Sequence, residues 1–212
     1  MLIVVGGQSR NLGKTSVVAG LIAALRERRW TAVKITQYGH GICSSDGEPC
    51  ECATGDHTWS ISEERNPTGR GDTCRFLAAG AVRSLWVRTR QGSLAEAMPA
   101  LREKLQGAEN VIIESNSVLK FLHPDLYLTV LDYGTEDFKQ SARLYLDRAD
   151  AVILSGRREM PTAWSGVSLK LLAGKPHFCV PPPQYVTAEL VQFVASRTTS
   201  ASQGQIPHRI AD

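Results

Sequence analysis

The chain has 212 residues, a hydrophobic content of 42% and a formal net charge of +3 at pH 7. This length predicts one or at most two domains, and the hydrophobic content allows a substantial core. The mild charge, without a polybasic block, does not favour nucleic-acid binding. No apolar run approaches the roughly 20 residues that span a bilayer, and the apolar N-terminus lacks the basic segment of a signal peptide. We therefore expect a cytoplasmic protein without a membrane partner.

The N-terminus carries the most informative pattern. An apolar run, Leu2-Ile3-Val4-Val5, leads into a glycine-containing loop that ends in Gly13-Lys14-Thr15, and a helical pattern follows. Strand, loop and helix in this order are the context in which a P-loop binds phosphates. Backbone N–H groups of such a loop point at phosphate oxygens, and the helix N-terminus adds partial positive charge. The predicted nucleotide-binding residues are Gly7, Gln8, Ser9, Asn11, Leu12, Gly13, Lys14, Thr15 and Ser16.

Two residues of this loop have predicted roles in phosphate chemistry. Lys14 is expected to reach the β and γ phosphates, and the Thr15 hydroxyl is expected to bind Mg²⁺. The loop departs from the pattern G-x-x-x-x-G-K-[ST], because Gln8 stands where the first glycine is expected and Gly7 leaves five intervening residues. A chance Gly-Lys-Thr on a surface turn is the alternative, and the flanking strand and helix argue against it.

Apolar strands alternate with helical patterns along the rest of the chain. We predict further strands at 31–35, 85–87, 111–113, 126–131, 151–154 and 178–180. We predict helices at 14–29, 72–79, 93–105, 136–148, 167–172 and 187–194. Continuous apolar strands between helices indicate a parallel sheet covered on both faces. The sequence therefore predicts one doubly wound α/β domain, 1–196, with a mostly parallel sheet of about seven strands, and a loose tail over 197–212.

Charged residues at the ends of these strands are candidates for catalysis. Ligands of doubly wound sheets bind beyond the carboxyl ends of the strands, which places Glu114 in the same crevice as the P-loop. Glu114 is predicted to hold Mg²⁺ or its waters, with a solvent-facing carboxylate as the alternative. Asp72 is a second candidate for Mg²⁺, although capping of the next helix explains it equally well. Lys34 either reaches the phosphate site or lies at a sheet edge. The predicted catalytic residues are thus Lys14, Glu114 and Lys34.

A long polar stretch, 38–71, contains three of the five cysteines. Loops of this length inside a compact domain are usually functional. Together with the following helix, the stretch supplies four candidate ligands for zinc or an iron–sulfur cluster, namely Cys43, Cys50, Cys52 and Cys74. Their spacing matches no standard zinc or ferredoxin pattern, so unpaired thiols on a loop are the alternative. Cys179, inside a predicted strand, is expected to be a small buried apolar residue.

The P-loop resembles that of the SIMIBI class of P-loop NTPases. Its spacing, Gly7-x₅-Gly13-Lys14-Thr15, is similar to that of dethiobiotin synthetase. Lys34 is placed like the lysine that this family uses near its carbamate, and Glu114 like its acidic residue at a strand end. The resemblance implies ATP-dependent phosphate chemistry with Lys14 and Thr15 in the roles given above.

Two other segments are similar to the MobB-type molybdopterin-guanine dinucleotide biosynthesis adaptor. One is Asp72-Thr73-Cys74-Arg75 followed by Ala78-Ala79-Gly80-Ala81, and the other is Lys34-Ile35-Thr36-Gln37-Tyr38-Gly39-His40. This resemblance implies a GTP-binding, dimeric accessory protein.

These patterns leave three functions open. The first is Mg²⁺-dependent binding and hydrolysis of ATP or GTP by an accessory or regulatory NTPase of cofactor biosynthesis, working as a homodimer or with a partner protein. The second is an ATP-dependent ligase or kinase that holds a small metabolite between the P-loop and 114–117. The third is a nucleotide-binding module whose hydrolysis is vestigial.

Overall fold

The computed structural model describes residues 1–38, 58–156, 164 and 166–199. Within these residues the chain forms eight strands: β1 (Leu2–Gly7), β2 (Thr31–Tyr38), β3 (Trp59–Glu63), β4 (Arg83–Arg90), β5 (Val111–Glu114), β6 (Leu126–Leu131), β7 (Ala151–Leu154) and β8 (His177–Cys179). The same residues form five α-helices: α1 (Lys14–Ala24), α2 (Asp72–Ala79), α3 (Leu94–Lys104), α4 (Gln140–Arg143) and α5 (Ala188–Thr199).

The described strands lie in one sheet, in the order β3-β4-β2-β5-β1-β6-β7-β8. Every neighbouring pair is parallel except β3 and β4. The central strands β1 and β5 are almost entirely buried and apolar up to Glu114, as expected where helices cover both faces of a sheet. The predicted mostly parallel, doubly wound α/β fold is confirmed, with one strand more than expected.

Helices cover both faces of the sheet. Helices α1, α2 and α5 pack on one face, where Leu21, Phe76 and Leu190 are fully buried. Helix α3 packs on the other face through Met98 and Leu101. Each such side chain contributes about 1.5–3 kcal/mol when it is fully buried. No described helix is both long enough and apolar enough to cross a bilayer.

The additional strand, β3, lies in the stretch 38–71 for which no regular element was predicted. Trp59 and Ile61 pack against the core while Ser60 alternates with them, the pattern of a half-buried edge strand. Glu63 and Arg83 join β3 to β4 through two hydrogen bonds of 3.0 Å. The strand is short and antiparallel, and it pairs with a strand that comes later in the chain, so local periodicity did not reveal it.

The predicted helix over 136–148 is wrong in extent. Only Gln140–Arg143 is α-helical, and a 3₁₀ turn, Leu146–Arg148, follows. The preceding residues form a turn in which the Asp132 carboxylate accepts hydrogen bonds from the Gly134 N–H and the Thr135 hydroxyl. An aspartate that bonds the backbone two residues ahead favours a turn over a helix.

Several other helices and strands begin or end a few residues away from the predicted positions. Helix α1 ends at Ala24 rather than at 29, because Leu25 leaves the helical conformation with φ of −126° and a 3₁₀ turn, Arg26–Arg28, follows. The predicted helix at 167–172 is a 3₁₀ turn, Leu169–Leu172. Strands β2 and β4 run to Tyr38 and Arg90, beyond the predicted ends. Helix α5 passes residue 196 and runs to Thr199, and the rest of the predicted tail, 200–212, lies outside the described residues.

Candidate functional site

The carboxyl ends of β1, β2 and β5 open into a cleft of about 730 Å³. This is the edge at which open α/β sheets bind their ligands. Five cationic side chains and two carboxylates line the cleft, a formal excess of three positive charges: Arg10, Lys14, Lys34, Arg75, Lys139, Asp72 and Glu114. A cleft with this charge balance attracts an anion.

The loop between β1 and α1 is held open by two residues in the left-handed conformation. Gly13, directly before α1, has φ of 81°, and Asn11 has φ of 57°. Glycine adopts this conformation without strain, and asparagine tolerates it better than most residues do. A Cβ atom on Gly13 would lie 2.4 Å from Cε1 of Tyr185, so a side chain there would also clash. Both residues therefore fix the backbone conformation of this loop.

Lys14 begins α1, and its ammonium group donates a hydrogen bond to the carbonyl oxygen of Ser9 in the same loop. Burial lowers the pKa of Lys14 to about 8, because desolvation disfavours the charged form more strongly than Glu114 favours it. The charges of Lys139 and Lys34 lower this pKa further. An anion bound beside Lys14 would offset both the desolvation and the repulsion.

Lys34 and Glu114 are register partners on the neighbouring strands β2 and β5. The Lys34 Nζ lies 2.5 Å from Oε1 of Glu114 and 2.7 Å from Oδ2 of Asp72. Burial alone would lower the pKa of Lys34, but the two carboxylates raise it above its ordinary value. Since β2 lies between β4 and β5, Lys34 reaches the cleft from inside the sheet and not from a sheet edge.

Glu114 connects this ion cluster to the P-loop. Its side chain is only 3% exposed, so the alternative of a solvent-facing carboxylate is wrong. The Thr15 hydroxyl donates a hydrogen bond of 2.8 Å to Oε2 of Glu114. The capping alternative for Asp72 is also wrong, because Gly71 is the N-cap residue and the Asp72 carboxylate pairs with Lys34.

The three side chains predicted to bind Mg²⁺ therefore lie together. Thr15, Asp72 and Glu114 all place an oxygen within 3.4 Å of the Lys34 Nζ. Oxygen donors of this kind are the ligands that Mg²⁺ prefers, so the donor set fits the ion. The Lys34 ammonium lies among these oxygens and balances one of the two carboxylate charges.

The nine predicted nucleotide-binding residues fall into two groups. The six residues 11–16 line the cleft. Gly7, Gln8 and Ser9 are buried and do not belong to its lining. The Gln8 amide bonds a neighbouring loop, because its Oε1 accepts from the Asp132 N–H at 3.0 Å and its Nε2 donates to the Thr135 carbonyl at 2.5 Å.

Sequence reasoning left several polar residues of the cleft unassigned, among them Arg10, Arg75, Gln91 and Lys139. Asn116 fixes the end of β1, because its amide exchanges two hydrogen bonds of 2.8 Å with the Gly7 backbone. It lies two residues after a buried strand, within the predicted stretch 114–117. Arg75 donates to the Ser16 hydroxyl at 2.8 Å. Lys139 lies in a stretch that was predicted to be helical, and no local pattern indicated its place in the cleft.

The described residues do not support the cysteine metal site. Cys43, Cys50 and Cys52 lie outside the described part of the chain. Cys74 is buried with its Sγ 3.1 Å from Oε2 of Glu64, and burial raises the pKa of its thiol. Among the residues that the structure describes, no group of three or more His, Cys, Asp or Glu side chains could hold a metal ion. Cys179 is half-buried rather than fully buried.

No protein-family model matches the chain, and no curated protein matches its sequence. Two solved structures have a similar chain path. HypB from Helicobacter pylori in complex with nickel is 15% identical with a TM-score of 0.49, covering 95% of this chain and 86% of that chain. The "apo" form of LpxK from Aquifex aeolicus in complex with ATP is 19% identical with a TM-score of 0.48, covering 84% of this chain and 53% of that chain. The chain thus spans about half the length of LpxK.

The ion cluster gives a first testable prediction. Replacing Lys34 by Met should lower the free energy of unfolding by about 3 kcal/mol, because it leaves the buried Glu114 carboxylate without its cation. The double variant Lys34→Met/Glu114→Gln should recover at least half of this loss, which urea unfolding without nucleotide will measure. Arg83→Met is the control, since its pair with Glu63 is partly exposed and should be worth less than about 1 kcal/mol. A loss no larger than that of the control would contradict the role of the buried pair.

The lowered pKa of Lys14 gives a second prediction. Between pH 8 and 10 the unfolded chain binds more protons at Lys14 than the folded chain does, since the pKa falls from 10.5 to about 8 on folding. The free energy of unfolding should therefore rise with pH through this window. The rise between pH 7.5 and 9.5 should be smaller in Lys14→Met than in wild type, by on the order of 1 kcal/mol.

Urea unfolding at the two pH values measures this difference, and the exposed Lys104→Met variant serves as its control. Other titrating groups, such as Cys74, are present in all three proteins, so their contribution to the change in the free energy of unfolding cancels. An equal rise with pH in wild type and Lys14→Met would show that Lys14 is not desolvated in the fold.

Proposed function

We propose that the protein binds a nucleoside triphosphate at the P-loop and hydrolyses it with the help of Mg²⁺. The observation that carries this proposal is the convergence of Lys14, Lys34 and the Thr15–Glu114 pair at one end of β1, β2 and β5. Phosphoryl transfer depends mainly on positioning and on neutralising charge, and this cleft supplies preorganised cations for both. Whether the base is adenine or guanine stays open.

Each residue of the cluster has a separate task in this proposal. The Lys14 ammonium leaves the Ser9 carbonyl and binds the phosphate chain, while the N–H groups at the start of α1 hold its oxygens. Lys34, which is ion-paired with Asp72 and Glu114, holds these two carboxylates in place beside the P-loop. Thr15, Asp72 and Glu114 would hold Mg²⁺, which supplies further charge neutralisation and orients the phosphates when bound.

A second candidate function is favoured by the part of the cleft beyond the P-loop. Gln37, Gln91, Ser115 and Ser117 line this region and offer hydrogen-bonding groups to another molecule. A volume of about 730 Å³ lies within the range of roughly 300–1,000 Å³ that is usual for small-molecule sites. The protein would then transfer the phosphoryl group, or couple ATP hydrolysis to a ligation, with a small metabolite bound there.

The accessory role belongs to the same proposal and is supported by the resemblances alone. These imply a part in cofactor biosynthesis, a homodimer and a protein partner that stimulates turnover. Slow hydrolysis without any acceptor would favour this role, and turnover that needs an added acid or amine would favour the ligase or kinase.

Nucleotide binding is tested by thermal unfolding with ATP, GTP or ADP, with and without Mg²⁺. A nucleotide at 100 times its dissociation constant should stabilise the wild-type protein by about 2.7 kcal/mol, because it binds only the folded state. Lys14→Ala should unfold near the wild-type temperature without nucleotide and gain no stability from it. The exposed Lys120→Ala variant should behave like wild type.

Two results would count against this proposal. Equal stabilisation of wild type and Lys14→Ala would remove the phosphate role of the loop. Binding without phosphate release, with or without acceptors, would leave only the nucleotide-binding module. Phosphate release is measured in the same buffers, so that binding and turnover are compared under one condition.

A further inference from the structure

Gln8 links the P-loop to the segment that follows β6. Besides the two bonds of its side chain, its backbone N–H donates to the Val130 carbonyl at 3.0 Å and its carbonyl accepts from the Lys139 N–H at 2.9 Å. Gln8 is fully buried, and these four bonds satisfy the polar groups of both its backbone and its side chain. The segment 132–139 is therefore attached to the phosphate loop at both of its ends.

This attachment places Lys139 in the cleft beside Lys14. Lys139 lines the cleft together with the P-loop residues, and its charge lowers the pKa of Lys14. Its own pKa is lowered by desolvation, and next by the charge of Arg10. In the part of the chain that the structure describes, the Lys139 ammonium has no hydrogen bond or ion pair, whereas Lys14 and Lys34 both have acceptors.

We propose that Lys139 is a second phosphate-binding lysine, which contacts the terminal phosphate opposite Lys14, and that Gln8 is the residue that positions it. This inference rests on the proposed triphosphate binding and assigns further residues to that site. Lys34 is already neutralised by Asp72 and Glu114, so it adds little net charge to the cleft. Lys14 and Lys139 are then the two ammonium groups left to balance a polyphosphate, and they approach it from different segments of the chain.

The terminal phosphate is the group that Lys139 fits best. Lys14, at the start of α1, is expected to reach the β and γ phosphates. Lys139 lines the same cleft as Lys34 and Glu114 of the ion cluster. A lysine in this place distinguishes a triphosphate from a diphosphate, because only the longer chain brings an anionic group to it.

The test uses inorganic tripolyphosphate and pyrophosphate as probes, with the full chain and isothermal titration calorimetry at constant ionic strength. These probes remove any contribution of the base and the ribose. Lys139→Met should weaken tripolyphosphate binding about tenfold or more, the size of a charge-assisted hydrogen bond, and weaken pyrophosphate binding no more than about threefold. Lys139→Arg should retain most of the tripolyphosphate affinity, and the exposed Lys104→Met should bind both probes like wild type.

Gln8→Leu tests the positioning role separately. It removes both side-chain bonds to 132–135, so it should weaken tripolyphosphate binding more than pyrophosphate binding, as Lys139→Met does. The double variant Gln8→Leu/Lys139→Met should bind tripolyphosphate no more weakly than the weaker single variant, because both changes remove the same contact. Additive losses in the double variant would show that Gln8 acts on the fold alone and would overturn its positioning role.

The outcomes separate this inference from the proposed function. A wild-type protein that binds neither polyphosphate would overturn both. A wild-type protein that binds tripolyphosphate, with Lys139→Met either unchanged or weakened equally for the two probes, would overturn the role of Lys139 and leave nucleotide binding intact. Far-UV circular dichroism and the unfolding temperature of each variant confirm that the comparison is made on folded protein.

Discussion

The site depends on one buried ion pair between two neighbouring parallel strands. The Lys34 Nζ lies 2.5 Å from Glu114, whose side chain is 3% exposed. A buried carboxylate without its cation costs several kcal/mol, so each of the two charges needs the other where β2 and β5 lie side by side. A slip of one residue would move Lys34 to the opposite face of the sheet. The pair therefore fixes the register of two strands and brings Thr15, at the start of α1, against Glu114.

The cleft disfavours the charged forms of Lys14 and Lys139, because desolvation lowers the pKa of both. The charges of Lys139 and Lys34 lower the pKa of Lys14 further, against the favourable charge of Glu114. Asn11 and Gly13 hold the loop in one conformation. An anion in this cleft would meet a loop of fixed conformation and would offset the repulsion between these lysines, two effects that favour anion binding.

A structural feature of this protein could be predicted when residues close together in the chain determine it. It could not be predicted when contacts between distant residues determine it. Strand β7 is a continuous apolar run between Asp150 and Ser155, and β1, β5 and β6 are mostly apolar, so each was predicted from its own residues. The spacing of Phe138, Ala142 and Tyr145 suggested one long helix. In the fold, Phe138 and Ala142 are buried together with Trp164, and the Phe138 and Trp164 rings meet edge to face at 5.1 Å. This tertiary contact overrides the local helical preference.

The residues of the candidate site divide in the same way, into those that a local pattern predicts and those that contacts between distant segments place. Lys14 and Thr15 follow from the motif, and Glu114 follows from its place at the end of a buried strand. The position of Lys34 requires the register between β2 and β5, which no single segment contains. Lys139 enters the cleft only through contacts between Gln8 and a turn far along the chain. A pattern within a short window carries no information on such a contact.

The unusual length of the P-loop has a physical explanation in the environment of Gln8. A glycine at this position would keep the backbone bonds to Val130 and Lys139. It would remove the amide oxygen that the Asp132 N–H bonds, and it would leave the Thr135 carbonyl with its bond from the Trp164 indole. Because Gln8 is buried behind the cleft, its side chain takes no space from a ligand. The residues that line the cleft, 11–16, still contain the left-handed Asn11 and Gly13. The departure from the common motif thus alters the attachment of the loop to its neighbour and leaves its cleft-facing residues unchanged.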